Sequence, residues 1–80
     1  MRAYVLITTE IGEARRVQRE VSESDLRPSV ELIAGAYDLI ASVEADSLRA
    51  VGEFVVNGIH KIDGVTQTIT LLSLDETSPV

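Results

Sequence analysis

The sequence predicts an α+β protein of ferredoxin-like type: a four-stranded antiparallel sheet with two helices on one face. Three observations carry this expectation. Four runs, at 2–9, 30–34, 39–43 and 65–72, read as strands. Two stretches between them repeat apolar residues at helical spacing. A tight turn, Gly35-Ala36-Tyr37-Asp38, separates the middle pair of strands. The order is therefore β-α-β-β-α-β, the split-βαβ arrangement.

In the first run Ala3, Val5 and Ile7 point to one side, and Tyr4, Leu6 and Thr8 to the other. Both sides are largely apolar, as in a central strand covered on both faces. Thr9-Glu10-Ile11-Gly12-Glu13 opens a helix, with Thr9 or Glu10 at the cap and acidic residues in the first turn. Ala14, Val17 and Val21 fall at i, i+3 and i+7, and Arg15, Arg16, Gln18, Arg19 and Glu20 form the solvated face. Ser22 to Ser29, containing Pro28, ends the helix and makes a loop. Residues 30–34 and 39–43 pair as a hairpin with a two-residue tip. Asp46 and Ser47 cap a second helix that runs to His60, with a stripe of Leu48, Val51, Val55 and Ile59. Asp63-Gly64 turns the chain into the last strand. There Val65, Gln67, Ile69 and Leu71 oppose Thr66, Thr68, Thr70 and Leu72. Residues 1–74 are expected to form a single ligand-binding and oligomerisation domain, and 75–80 a polar tail with Pro79.

Eighty residues make one domain at most, with a core that is marginal unless something staples it. There is no cysteine for a disulfide, and a single histidine argues against structural zinc. Self-association is the remaining staple. Hydrophobic residues are 45% of the chain, a large apolar content for so small a monomer to hide. The helices cover one face of the sheet, yet the strands are apolar on the other face too. A second copy of the sheet is the simplest cover, so the patterning predicts a homodimer that is barrel-like through its sheet face. A net charge of −6 disfavours direct contact with nucleic acid or anionic lipid. No apolar run approaches the ~20 residues that span a bilayer. The first strand begins at once, with no sign of a signal peptide, so a cytoplasmic protein is expected.

The Gly35 to Asp38 turn joins backbone amides, a carboxylate and an aromatic ring, a combination suited to a small zwitterion. The wider pattern resembles the effector-binding (RAM) domain of the leucine- and asparagine-responsive (Lrp/AsnC) transcription regulators. The likeness rests on Ala3-Tyr4-Val5-Leu6-Ile7, the Gly-x-Tyr-Asp turn, the strand 39–43 followed by Glu44-Ala45-Asp46, and Gly64-Val65-x-x-Thr68-x-Thr70. One departure is Arg27-Pro28-Ser29-Val30 where the family usually has Pro-Gly-Val, which leaves the register of the second strand open. Most members carry an N-terminal helix-turn-helix. Residue 1 already lies at the first strand here, so the resemblance is to stand-alone members without a DNA-reading helix. It implies binding of a free amino acid, dimers assembled into a larger ring, and association with full-length family regulators.

The resemblance also places the ligand between neighbouring dimers, at Gly35, Tyr37, Asp38, Thr68 and Thr70. The Gly35 turn would expose amides to a carboxylate, and Asp38 would accept from an ammonium. The threonine hydroxyls would donate or accept, and Tyr37 would form a wall. Each residue also has a plainer use. Asp38 can satisfy the amides of its own turn, Tyr37 can pack at an interface, and threonines are good strand formers. His60 suits a helix C-terminus, while Glu10, Glu13 and Asp46 read as charges at helix starts. No nucleophile–base pair, facing carboxylate pair or phosphate-cradling loop is evident, so neither an enzyme nor a cofactor is expected. Three alternatives stand: a ligand-free assembly module, a small dimeric α/β-barrel enzyme of the monooxygenase type, and an ACT-type regulatory module.

Overall fold

The structure, a computed structural model, describes residues 1–75; the expected tail lies outside the described residues except for Asp75. The chain forms β1 (Arg2–Thr9), α1 (Ala14–Ser22), β2 (Ser29–Leu32), β3 (Leu39–Glu44), α2 (Leu48–Glu53) and β4 (Val65–Leu72). A π-helical segment, Phe54–Ile59, continues α2. The sheet order is β2-β3-β1-β4 and every neighbouring pair is antiparallel. This is the expected ferredoxin-like architecture.

Directly opposed residues of an antiparallel pair share a face. Ala3, Val5 and Ile7 stand opposite Val43, Ala41 and Leu39, and all six are buried. Val17 and Val21 of α1 complete that core together with Val51, Phe54, Val55 and Ile59 of the second helix. Both helices thus lie on one face. Burying each large aliphatic side chain contributes ~1.5–3 kcal/mol. The other face carries Tyr4, Leu6, Ile40, Ile69 and Leu71, aligned by the registers of β1 with β3 and β4. No helix among the described residues covers them. Leu71 is 48% exposed and the other four are half-buried.

Several boundaries differ from the sequence expectation, each for a physical reason. Helix α1 starts at Ala14, not at Thr9 or Glu10, because those two residues serve the sheet. The Thr9 N–H is taken by the Asp38 carboxylate, and the Glu10 N–H donates to the Gly64 carbonyl at 2.8 Å. Glu13 precedes the helix but makes no side-chain cap bond; its Oε1 accepts instead from Arg16 Nε at 2.9 Å and Nη2 at 2.6 Å. At the second helix Ser47 is the cap, its hydroxyl oxygen accepting from the Ala50 N–H at 3.1 Å. Leu48, expected in the apolar stripe, is 58% exposed, and Phe54 is buried instead. Leu48 is the first residue of α2, and Phe54 follows Val51 by three residues on the same face. At the far end the His60 N–H bonds the carbonyl of Val55, five residues back.

The hairpin is also looser than a two-residue tip. β2 ends at Leu32, and residues 33–38 form the connection, closed by Ile33 N–H donating to the Asp38 carbonyl at 2.9 Å. On β4 the register shifts from Thr8↔Gln67 to Thr9↔Val65, a bulge at Thr66. Val65 therefore packs toward the core rather than sharing a face with Gln67.

Candidate ligand-binding site

Asp38 is fixed by β1. Its N–H donates to the Ile7 carbonyl at 2.9 Å. Its Oδ2 accepts from the Thr9 N–H at 2.7 Å and from the Thr9 hydroxyl at 3.3 Å. The β1–β3 ladder ends at the Ile7↔Leu39 pair, so this carboxylate satisfies an amide that the ladder leaves unpaired. Tyr37 is half-buried beside it. Gly35 lies exposed on the loop with φ +144, and a Cβ there would meet nothing within 4 Å. The backbone conformation, not lack of space, is what calls for glycine.

Thr68 and Thr70 stand opposite Ile7 and Val5, which puts them on the helix-bearing face at the β4 edge. Thr68 Oγ1 lies 2.8 Å from His60 Nε2. A cleft of ≈ 290 Å³ opens there, lined by His60, Val65, Thr66, Gln67 and Thr68. Gly35, Tyr37, Asp38 and Thr70 lie outside it. Strand β1 separates β3 from β4, so the loop and the cleft lie on opposite sides of it. One chain therefore offers two separate groups, a loop group around Asp38 and a strand group around Thr68.

His60 is the site neighbour that helical periodicity misses. An α-helical spiral makes it a solvent-facing end residue, whereas the π-turn sets it against Thr68. The nearby Asp63-Gly64 turn is tied to α1, with Arg16 Nη2 donating to the Asp63 carbonyl at 2.7 Å. Donating hydrogen bonds to Glu13 and then to Glu20 raises the Arg16 pKa, so this guanidinium is committed. A larger cleft, ≈ 420 Å³, lies between the loop after α1 and the second helix and holds none of the expected site residues. Among the described residues no group of His, Cys, Asp and Glu could hold a metal ion. No helix among them is long and apolar enough to cross a membrane.

Residues 2–79 match the family described as the Lrp/AsnC ligand binding domain. The chain belongs to this family. An uncharacterised HTH-type transcriptional regulator of Pyrococcus horikoshii is 35% identical over 75 residues, which are 89% of this chain and 49% of that protein. The chain spans about half the length of the curated relatives it matches. A Thermus thermophilus protein of known structure superposes with a TM-score of 0.88 at 27% identity, covering 98% of both chains. A Neisseria meningitidis transcriptional regulator crystallised with L-methionine gives a TM-score of 0.81 at 17% identity, covering 98% of this chain and 52% of that one. At that identity the second likeness is one of fold. The homologues are transcription regulators, and the Lrp/AsnC domain here is a ligand-binding domain of the kind they carry.

Proposed function

We propose that this Lrp/AsnC domain senses a free amino acid and couples its binding to assembly, modulating transcription indirectly. The observation that carries the reading is the division of the site. The Asp38 loop and the Thr68 strand are held in place by their own chain, yet they do not meet within it. A second molecule is needed to bring one group against the other. The uncovered apolar face of Tyr4, Leu6, Ile40, Ile69 and Leu71 supplies the first association, a homodimer through the sheets. Contact between dimers in a larger ring then closes the site, with Gly35, Tyr37 and Asp38 on one side and Thr68 and Thr70 on the other.

The chemistry suits a zwitterion. A carboxylate has about four acceptor positions, and the Thr9 contacts occupy Oδ2. Asp38 thus retains Oδ1 for an ammonium, in a charge-assisted bond from a side chain already oriented. The Neisseria regulator with L-methionine supports an amino acid as the ligand class. A ligand that bridges dimers binds the ring better than the free dimer and shifts assembly by that difference. Residues 1–74 act as one unit in the cytoplasm, and full-length regulators of the family are the partners through which transcription is reached. The net charge of −6 argues against direct contact with nucleic acid. The uncovered apolar face by itself favours one other reading, a ligand-free assembly module.

A thermal-shift panel of the standard amino acids tests the proposal. Ligand at ~100 times its Kd stabilises the native state by about 2.7 kcal/mol. Such a gain moves the melting point of a domain this size by several degrees. A shift with one or a few amino acids supports the sensor and names its effector. A flat panel leaves the assembly module.

A further inference from the structure

We infer that Ile11 is a specificity-determining residue of this site, the contact that selects an amino acid with an open-chain apolar side chain, as in valine, leucine, isoleucine or methionine. The inference rests on the amino-acid reading above. Its basis is the place of the turn that carries Ile11. Thr9 donates its N–H and its hydroxyl to Asp38 Oδ2, and it pairs with Val65 on β4. The next residue, Glu10, donates its N–H to the Gly64 carbonyl at 2.8 Å. The chain at 9–10 thus joins the Asp38 loop on one side to the start of β4 on the other, where Val65 also lines the Thr68 cleft. Ile11 follows directly, so its turn stands between the loop group and the strand group.

The turn itself does not account for an isoleucine. The Glu13 N–H donates to the Glu10 carbonyl at 3.0 Å and closes a four-residue turn, in which Gly12 takes φ +85 at the third position, as in a type II turn. Ile11 then holds the second position, where proline is favoured and a large aliphatic side chain gains nothing locally. It is fully exposed and has no part in the core. Single exposed apolar residues are ordinary on protein surfaces. This one is held on both sides by backbone hydrogen bonds, at Glu10 and at Glu13, and it stands between two groups proposed to meet around a ligand. In an α-amino acid the side chain branches from the same carbon as the ammonium. A ligand with its ammonium on Asp38 Oδ1 therefore holds its side chain near the turn that is bonded to Asp38. Contact with Ile11 would remove apolar surface of both from water. Charge narrows the class further. Glu13 is committed to Arg16, but Glu10 and Asp38 flank the turn with negative charge and repel an acidic side chain.

The test measures binding of each standard amino acid by calorimetry to the wild-type protein, Ile11→Ala and Ile11→Leu. Ile11 is fully exposed, so both variants should melt as the wild type does. Valine, leucine, isoleucine or methionine should bind best to the wild type. That amino acid should lose about tenfold in affinity in Ile11→Ala, which removes most of the apolar contact, and regain it in Ile11→Leu, which restores one. Sedimentation of unliganded Ile11→Ala should match the wild type. Best binding by an amino acid outside that set, lysine included, overturns the role of Ile11 while leaving the sensor reading in place. So does an affinity that Ile11→Ala leaves unchanged, or a loss that Ile11→Leu does not restore. An altered assembly of unliganded Ile11→Ala would make the residue an assembly contact and overturn its role in selection. A lack of binding by any amino acid to the wild type overturns both the inference and the sensor reading.

Discussion

At the scale of single residues, Asp38 does two jobs with one carboxylate. Oδ2 closes the end of β1 through Thr9, and that contact fixes where the other oxygen points. Asp38→Asn should cost ~1–3 kcal/mol, because a charged acceptor of a backbone amide is replaced by a weaker one. In a domain of this size each kcal/mol lowers Tm by about 4–8 °C. A thermal melt that matches wild type would show that the Thr9 contact adds nothing. Gly64 is a second sensitive point. Its φ is +96, and an added Cβ would come within 2.8 Å of Arg16 Nη2 and 3.3 Å of Val17 Cγ2. Gly64→Ala should lose ~1–3 kcal/mol through backbone strain, measured as a drop in the urea midpoint. Gly35 and Asp38 announce a turn in the sequence by residue type alone. The partner of Asp38 is not legible there, because Thr9 lies 29 residues away and pairs only once the sheet exists.

At the scale of elements, the strands and the helix faces are legible in the sequence, and the π-turn is not. β1 shows its two faces because its side chains alternate strictly, and both sides are apolar. Residues 2–9 and 65–72 are strands as expected. In the second helix Val51, Val55 and Ile59 are buried at the expected spacing, while Leu48 is exposed at its first turn and Phe54 is buried three residues after Val51. The π-turn over Phe54–Ile59 is not legible, because no residue type announces a five-residue hydrogen bond. The length of the hairpin connection is not legible either. Alternation continues past Leu32, but Asp38 is drawn to β1, so strand pairing stops early and six residues are left in the connection. The helix start gives a direct check. Ser47→Ala should cost ~1 kcal/mol by removing the cap acceptor of the Ala50 N–H, while Asp46→Ala should stay near wild type. Equal losses in the two melts would contradict the assignment of the cap to Ser47.

At the scale of the whole molecule, the uncovered sheet face governs behaviour. A face bearing Tyr4, Leu6, Ile40, Ile69 and Leu71 is an association surface by its chemistry. Leu6 sits at its centre on β1, flanked by Ile40 and Ile69. Leu6→Lys should give a monomer that keeps its far-ultraviolet circular dichroism, since the side chain lies on the face away from the helices. A dimer in that variant would move the interface elsewhere. The proposed ligand sensing depends on the same association, because the Asp38 loop and the Thr68 cleft lie on opposite sides of β1 in one chain. The most direct measurement is sedimentation velocity of the wild-type protein at micromolar concentration, with and without each standard amino acid. Dimers are expected without ligand, and larger closed assemblies with the amino acid that binds. A monomer, or a distribution that saturating ligand leaves unchanged, would contradict it.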